Sequence, residues 1–163
     1  MSQKEIHFNF DDVSDDGYIV VAPGRYVGEV VEWKYYTKEE SGNDLFQITF
    51  ELKSEKYQGE RLRFWLVLSE KNRANLFRVY KALNLIKDGD RTDGKKLSVQ
   101  AVFGETDSDG KINIPALVVN GESRKTIGAR ATVVVVSDPD YNHRIHHLEP
   151  LAPPGKVDDD LPF

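Results

Sequence analysis

Alternating apolar and polar residues dominate the sequence and constrain its fold more than any other feature. The clearest example is LFQITFELK, residues 45–53, which has apolar residues at every second position: Phe46, Ile48, Phe50 and Leu52. A period of two places these side chains on one face of a half-buried strand. GRYVGEVVEWKYY precedes this stretch, ERLRFWLVL follows it, and further strand-like stretches occupy residues 97–149. The chain is therefore predicted to be mainly β.

One segment has helical rather than strand periodicity. Leu76, Tyr80 and Leu83 recur at the spacing of a helix face, which predicts a helix from Glu70 to about residue 85, with Ser69 as its N-cap. Three long strands, a helix and then more strands is the order of an OB-fold. We predict an OB-fold-like five-stranded barrel with the helix between strands 3 and 4. Another small β-barrel or a sandwich is the alternative.

Residues 96–136 form a longer segment than two closing strands require. The tetrapeptide DSDG, residues 107–110, separates two strand-like runs and is typical of a hairpin turn. We therefore predict an extra hairpin around DSDG.

The net charge of −5 is unevenly distributed along the chain. Residues 1–16 contain five acids and one base, and residues 157–163 contain three acids and no base, so the remaining chain has 21 bases and 19 acids. The local field, rather than the net charge, determines what docks on a surface. We predict an acidic N-terminal segment (1–16), one folded domain (17–151) and a flexible acidic C-terminal tail (152–163).

The composition argues against several classes of protein. The chain has no Cys, which excludes a disulfide framework and thiolate chemistry and suits a reducing cytoplasm. Its longest aliphatic run, residues 133–136, is too short for a membrane span, and its N-terminus lacks the apolar run of a signal peptide. We predict a soluble, cytoplasmic protein that does not associate with membranes.

No stretch of the sequence predicts catalysis or a resident cofactor. ETDSDGKI resembles a calcium loop but has Ala116 where the last acidic ligand belongs. His143, His146 and His147 lack the Cys or acidic partners at short spacing that a zinc site requires. Gly-rich phosphate loops and nucleophile elbows are also missing. We predict no catalytic site, no metal and no cofactor.

RLRFWLV, residues 61–67, carries the strongest indication of a binding surface. In a strand, Arg61, Arg63 and Trp65 lie on the face opposite to the apolar residues of this stretch. A ring exposed beside two guanidinium groups suits single-stranded nucleic acid, because the ring stacks on a base while the arginines neutralise phosphates. The alternative is that a loop covers Trp65 and that the arginines extend along apolar surface.

The first strand contributes further candidates for the same surface. Arg25, Trp33 and Tyr35 share one parity, while Lys34 and Tyr36 share the other. Each face mixes apolar and polar residues, so the alternation does not indicate which face is buried. Either assignment leaves an aromatic ring beside a basic residue, and packing in the core is the alternative for any single ring.

Two bases at the start of the predicted helix complete the set of candidates. Lys71 and Arg73 would contact phosphate or raise the local positive potential without direct contact. Ordinary solvation of the outer face of a helix is the alternative.

The chain ends with DDDLPF, an acidic run followed by an aliphatic residue, Pro and Phe. This ending resembles the C-terminal tip of bacterial single-stranded-DNA-binding proteins. Residues 22–85, from APGRY through the turn ESGND and a Gly-led basic strand to the helix, resemble a family of small phage proteins found in replication modules. The resemblance implies an OB-fold protein in the host-cell cytoplasm that binds single-stranded DNA during replication, recombination and repair.

The resemblance also implies a role for the tail. It would recruit replication or recombination proteins, such as a polymerase, helicase, primase or recombinase, through six residues: Asp158, Asp159, Asp160, Leu161, Pro162 and Phe163. An apolar pocket beside a basic residue on the partner would bind the ring and the α-carboxylate of the last residue. The alternative is an adaptor, a β-barrel that displays the tail without binding DNA. Homo-oligomerisation and the choice between DNA and RNA stay open.

Overall fold

The structure, a computed structural model, describes residues 8–91 and 96–151. Within these ranges it contains nine strands: β1 (Gly24–Thr37), β2 (Asp44–Leu52), β3 (Arg61–Val67), β4 (Val99–Val102), β5 (Ile112–Asn113), β6 (Ala116–Val119), β7 (Glu122–Lys125), β8 (Arg130–Asp138) and β9 (Asn142–Glu149). A 3₁₀ turn, Glu70–Asn72, leads into one α-helix, α1 (Arg73–Ala82). The prediction of a mainly β chain is confirmed.

The strands form two antiparallel sheets. The larger sheet has the order β3-β2-β1-β8-β9, and the short β5 also pairs with β1. The smaller sheet has the order β4-β6-β7. β1 pairs with β2 along most of its length, with β8 over residues 24–29 and with β5 at residues 34 and 35. The long first strand is therefore the element that holds the larger sheet together.

A β-bulge at Val31 reverses the alternation of β1. The register with β2 shifts between Val30 and Glu32, so Val31 has no partner residue on β2. Val30 and Trp33, three positions apart, are both fully buried. An extra residue in a strand turns the following side chains to the opposite face of the sheet. This bulge is the reason that the sequence left the buried face of β1 undecided.

Trp33 joins the sheet to the helix in the core. Its ring stacks on Tyr80 of α1 with 6.1 Å between centroids, and its indole N–H has no hydrogen-bond partner among the described residues. Burial raises the pKa of Tyr80 to about 12. The predicted helix is confirmed over residues 70–82, and Asn84 in the left-handed conformation follows its end. Ser69 does not act as predicted, because its side chain makes no capping hydrogen bond.

The closed five-stranded barrel that the sequence predicts is not formed. β3 and β9 are the two edges of the larger sheet, and within the described residues no ladder of hydrogen bonds joins them. The two strands nevertheless lie near each other, with a cleft between them. A curved sheet with one open seam is the result.

The extra hairpin around residues 107–110 is confirmed. Thr106 bridges Ile112, and the Asp107 N–H donates to the Lys111 carbonyl at 2.8 Å. Through β5 this hairpin pairs with β1 at residues 34 and 35. In the ranges that the structure covers, neither the 3₁₀ turn nor α1 has the length and apolar character needed to span a membrane.

An ion pair joins the loop after the helix to the smaller sheet. The Arg124 guanidinium donates to both carboxylate oxygens of Asp90, at 2.6 and 2.8 Å, and to the Leu85 carbonyl at 2.6 Å. These hydrogen bonds, with a further one from the Lys87 N–H, hold the pKa of Asp90 well below its usual range. Bidentate geometry of this kind makes the pair stronger than an ordinary surface contact.

Replacing Gly28 with Ala is expected to destabilise the protein by about 1–3 kcal/mol, the usual cost of overpacking a core. A Cβ at Gly28 would overlap Cγ2 of Val133 and lie 3.3 Å from Cδ1 of Phe50. A Gly89→Ala variant is the control, because no heavy atom of a described residue beyond its chain neighbours lies within 4 Å of its added Cβ. Urea unfolding measures both, and equal stability of the two variants would contradict the close approach of β1 to β8.

Replacing Asp90 with Asn is expected to lower Tm at neutral pH and to have less effect in acid. Because the folded chain holds this pKa below its unfolded value of about 4, the pairing stabilises the fold above that value. The stabilisation that the Asp90–Arg124 pair provides is lost as the pH falls from about 4 toward the lower pKa of Asp90 in the folded chain. Thermal unfolding across this range measures it, with Asp88→Asn, an exposed neighbour, as the control. A Tm difference that does not change with pH would oppose the assignment.

Candidate nucleic-acid interface

The outer face of β3 presents two arginines and a tryptophan. Leu62 and Leu66 are buried, whereas Arg61, Arg63 and Trp65 are exposed, as the alternation predicts. The Trp65 side chain is 52% exposed. A tryptophan ring that is half exposed to water is not a core residue, so its neighbours on the surface must explain its position.

These residues form one wall of a cleft of about 1030 Å³, which we call the β3–β9 cleft. The other wall comes from the turn before β9 and the start of β9, and the turn between β1 and β2 also contributes to the lining. Its basic lining residues are Lys38, Arg61, Arg63 and Arg144. Its aromatic lining residues are Tyr36, Trp65 and Tyr141. Among the described residues that line it, the single acid is Glu32.

The indole of Trp65 is held by its neighbours on the sheet. It lies opposite Gln47 of β2, and its N–H donates to the Gln47 side-chain oxygen at 3.3 Å. The Lys111 ammonium, from the extra hairpin, donates to the same oxygen at 2.9 Å and lies 4.6 Å from the centre of the Tyr36 ring. Through Lys111 the hairpin therefore contacts the Tyr36 ring directly and the Trp65 ring by way of Gln47.

The hairpin itself is anchored to β1 by an ion pair. Lys34 and Asp107 lie 2.6 Å apart, with both side chains about one-fifth exposed. The hydrogen bond between them raises the pKa of Lys34 and lowers the pKa of Asp107. Both groups are therefore charged at neutral pH, and the ammonium of Lys34 is already neutralised.

The arginines of the cleft are held only weakly by acids. Arg63 makes no hydrogen bond or ion pair with any residue that the structure describes. Arg61 is 3.6 Å from Glu51, and Arg144 is 3.3 Å from Asp138. Exposed pairs of this kind contribute little to stability, so their guanidinium groups can turn to another anion at small cost.

His143 positions the opposite wall of the cleft without adding charge to it. Its Nδ1 accepts a hydrogen bond from the Val21 N–H at 3.0 Å, which joins β9 to the segment before β1. Burial lowers the pKa of His143 below its usual value, so the imidazole is neutral at neutral pH. The anchored hairpin carries Tyr141, 77% exposed, and Arg144 opposite β3.

Trp33 and Tyr35, predicted to stack on bases, do not lie in the cleft. Trp33 is 1% exposed in the core because the bulge turns it inward, and its ring cannot meet a base. Tyr35 is half-buried between Phe46 and Phe103, with ring centroids 6.4 and 5.3 Å away. The prediction for Trp33 is wrong, and Tyr36 occupies the outer position in place of Tyr35.

The remaining predicted bases also lie outside the cleft. Arg25 forms an ion pair with Glu149 of β9 at 2.9 Å. Lys71 is exposed in the 3₁₀ turn, and Arg73 pairs with Glu70 at 2.7 Å on the outer face of α1. None of the three lines the cleft, so they contribute to it at most through long-range potential.

Sequence reasoning missed Tyr141, Arg144 and Lys38. Tyr141 lies in the turn between β8 and β9, and Arg144 lies near the start of β9, which Asn142 in the left-handed conformation begins. An exposed aromatic residue in a turn is a usable signal. However, nothing in the chain around Tyr141 indicates that β9 lies beside β3. The six predicted tip residues, 158–163, lie outside the described ranges, and their role stays a prediction.

The described parts of the chain contain no group of three or more His, Asp or Glu side chains arranged to hold a metal ion. Comparison with known protein families finds no match to this chain, and no curated protein matches it. The argument for function therefore depends on the cleft and on the sequence.

Trp65 and Trp33 are expected to differ sharply in their access to a soluble quencher. A Trp65→Phe variant retains only the core Trp33, so acrylamide should quench its emission far less than that of the wild type. Stern–Volmer titrations of the two proteins measure this difference, with unfolded samples as the control for equal intrinsic quenching. Undiminished quenching in the variant would show that Trp33 is not buried as described.

Proposed function

We propose that this protein binds single-stranded DNA in the β3–β9 cleft, with no strong overall sequence preference, and protects it during replication and recombination. The observation that carries the proposal is the lining of the cleft, which includes three aromatic rings and four basic side chains. Stacking on aromatic side chains contributes roughly 1–3 kcal/mol per base and accepts every base, while the basic residues follow the phosphates.

We also propose that the larger sheet is an open form of an OB-fold. Its order, with the first three strands as a meander and the last two strands beside the first, supports this assignment. In OB-folds, the face of strands 2 and 3 and the loops after strands 1 and 4 bind oligonucleotides. The corresponding parts of this chain are β2, β3, the turn at 38–43 and the turn at 139–141, and each of these four parts contributes at least one residue to the lining.

The charges of the cleft fit a polyanion better than a neutral ligand. Arg63 has no acidic partner among the described residues, and Arg61 and Arg144, each more than half exposed, contact acids at 3.6 and 3.3 Å. A phosphate can replace such a contact with a charge-assisted hydrogen bond while counterions are released from the DNA. The affinity should therefore fall steeply as salt is added.

The tail completes the proposal. Residues 158–163 would recruit a replication or recombination protein to the coated strand, with the acids speeding encounter and the last residues docking in an apolar pocket. The adaptor hypothesis retains this part and removes DNA binding. A direct binding measurement therefore separates the two.

A fluorescently labelled oligo-dT, titrated with the full chain at several salt concentrations, tests the proposal by anisotropy. We expect saturable binding that weakens with salt, and in Arg63→Ala a slope of log K against log salt that is smaller by about 0.7, the value for one phosphate contact with a single strand. Trp65→Ala should lose roughly 1–3 kcal/mol of binding free energy.

Arg73→Ala is the matched control, because it removes the same charge from the helix outside the cleft. Its salt slope and affinity should stay close to those of the wild type. Equal losses in Arg63→Ala and Arg73→Ala would show that charge alone, rather than the cleft, attracts DNA. Absence of binding by every protein would leave the adaptor as the remaining function.

A further inference from the structure

The floor of the β3–β9 cleft holds two polar groups that make no hydrogen bond with any residue that the structure describes. Glu32 of β1 lines the cleft, and its carboxylate makes no hydrogen bond or ion pair with any described residue. Thr49 of β2 lies directly opposite Glu32 and is 4% exposed. Its hydroxyl is buried and has no hydrogen-bond partner among the described residues. Two groups without a hydrogen-bond partner among the described residues therefore lie side by side in the centre of the sheet, and the Glu32 charge acts only at longer range, where it helps to raise the pKa of Lys34.

Neither group is explained by contact with the phosphate backbone. A carboxylate repels phosphate, so Glu32 opposes the electrostatic attraction that the arginines provide. A buried hydroxyl without a partner costs free energy in the unliganded protein. Both costs disappear when a ligand presents a hydrogen-bond donor to the carboxylate and an acceptor to the hydroxyl. The edge of a nucleobase offers this combination.

We propose that Glu32 and Thr49 bind the edge of one base at the floor of the cleft and favour a base with an exocyclic amino group. This inference rests on the proposed function. The N4 amino group of cytosine donates to the Glu32 carboxylate, and its N3 accepts from the Thr49 hydroxyl. Uracil places the acceptor O4 where cytosine has the amino group, so the carboxylate repels it.

The register of the sheet places these groups within reach of a stacked base. Thr49 pairs with Arg63 on β3, and Trp65 follows two residues later on the same face, about 7 Å along the strand. A base stacked on the Trp65 ring can therefore direct its edge toward β2 and β1. Arg63, at the outer edge of the sheet, remains available for the phosphate of the same nucleotide.

The test compares oligo-dC with oligo-dU of the same length near neutral pH, because the two bases differ only in the groups that face the floor. For the wild type we expect oligo-dC to bind about fivefold or more tightly, the lower limit for a good base contact. In Glu32→Gln the two affinities should become nearly equal, mainly through tighter binding of oligo-dU once the repulsive charge is gone.

Thr49→Val and Glu55→Gln complete the design. Thr49→Val keeps the shape of the side chain, and it should weaken oligo-dC more than oligo-dU without lowering stability in urea. Glu55→Gln removes the same charge from an exposed turn outside the cleft and should keep the wild-type ratio.

The outcomes separate the inference from the proposed function. Saturable binding with equal affinities of the wild type for oligo-dC and oligo-dU overturns the inference and leaves the DNA-binding function standing. A preference for oligo-dC that persists unchanged in Glu32→Gln and in Thr49→Val overturns it as well. Absence of binding to both oligonucleotides overturns the proposed function itself, and the inference with it.

Discussion

The β-bulge in β1 inserts Val31 between Val30, which pairs with Phe50, and Glu32, which pairs with Thr49. Without the extra residue, the second half of the strand would direct its alternate side chains the other way, and Trp33 would leave the core. The bulge therefore decides both faces of the sheet at once. It turns Trp33 into the core, where the ring packs on α1, and it turns Glu32 toward the floor of the cleft.

The net charge of the chain does not predict the charge of the β3–β9 cleft. The protein carries a charge of −5, yet the described residues lining the β3–β9 cleft include four bases and one acid. Two acids on the same face of the sheet are occupied by bases outside the cleft, since Glu29 pairs with Lys53 and Arg130, and Glu51 pairs with Lys53. Pairing of neighbouring acids with other bases preserves a positive cleft on an acidic molecule.

Regular strands could be predicted from the sequence, and irregular ones could not. Clean alternation in β3 placed Arg61, Arg63 and Trp65 on the outer face, because nothing interrupts that strand. In β1 a single unpaired residue defeats the period-two argument, which is why the sequence leaves both faces of the strand open and admits Trp33, a core residue, as a candidate for base stacking. Tyr141 was missed for a different reason. Its place in the cleft depends on the approach of β9 to β3, which is a contact between distant segments that no local pattern records.

The open seam leaves β3 as an edge strand. Such a strand has unpaired N–H and C=O groups along one side, and these can pair with the edge of another molecule and begin aggregation. Here the exposed side chains of the edge include Arg61 and Arg63, and two copies brought together through β3 would place like charges against each other. The arginines proposed to bind phosphate thus also oppose unwanted association of two copies. Their repulsion is strongest while the cleft is empty, because no phosphate then neutralises their charge.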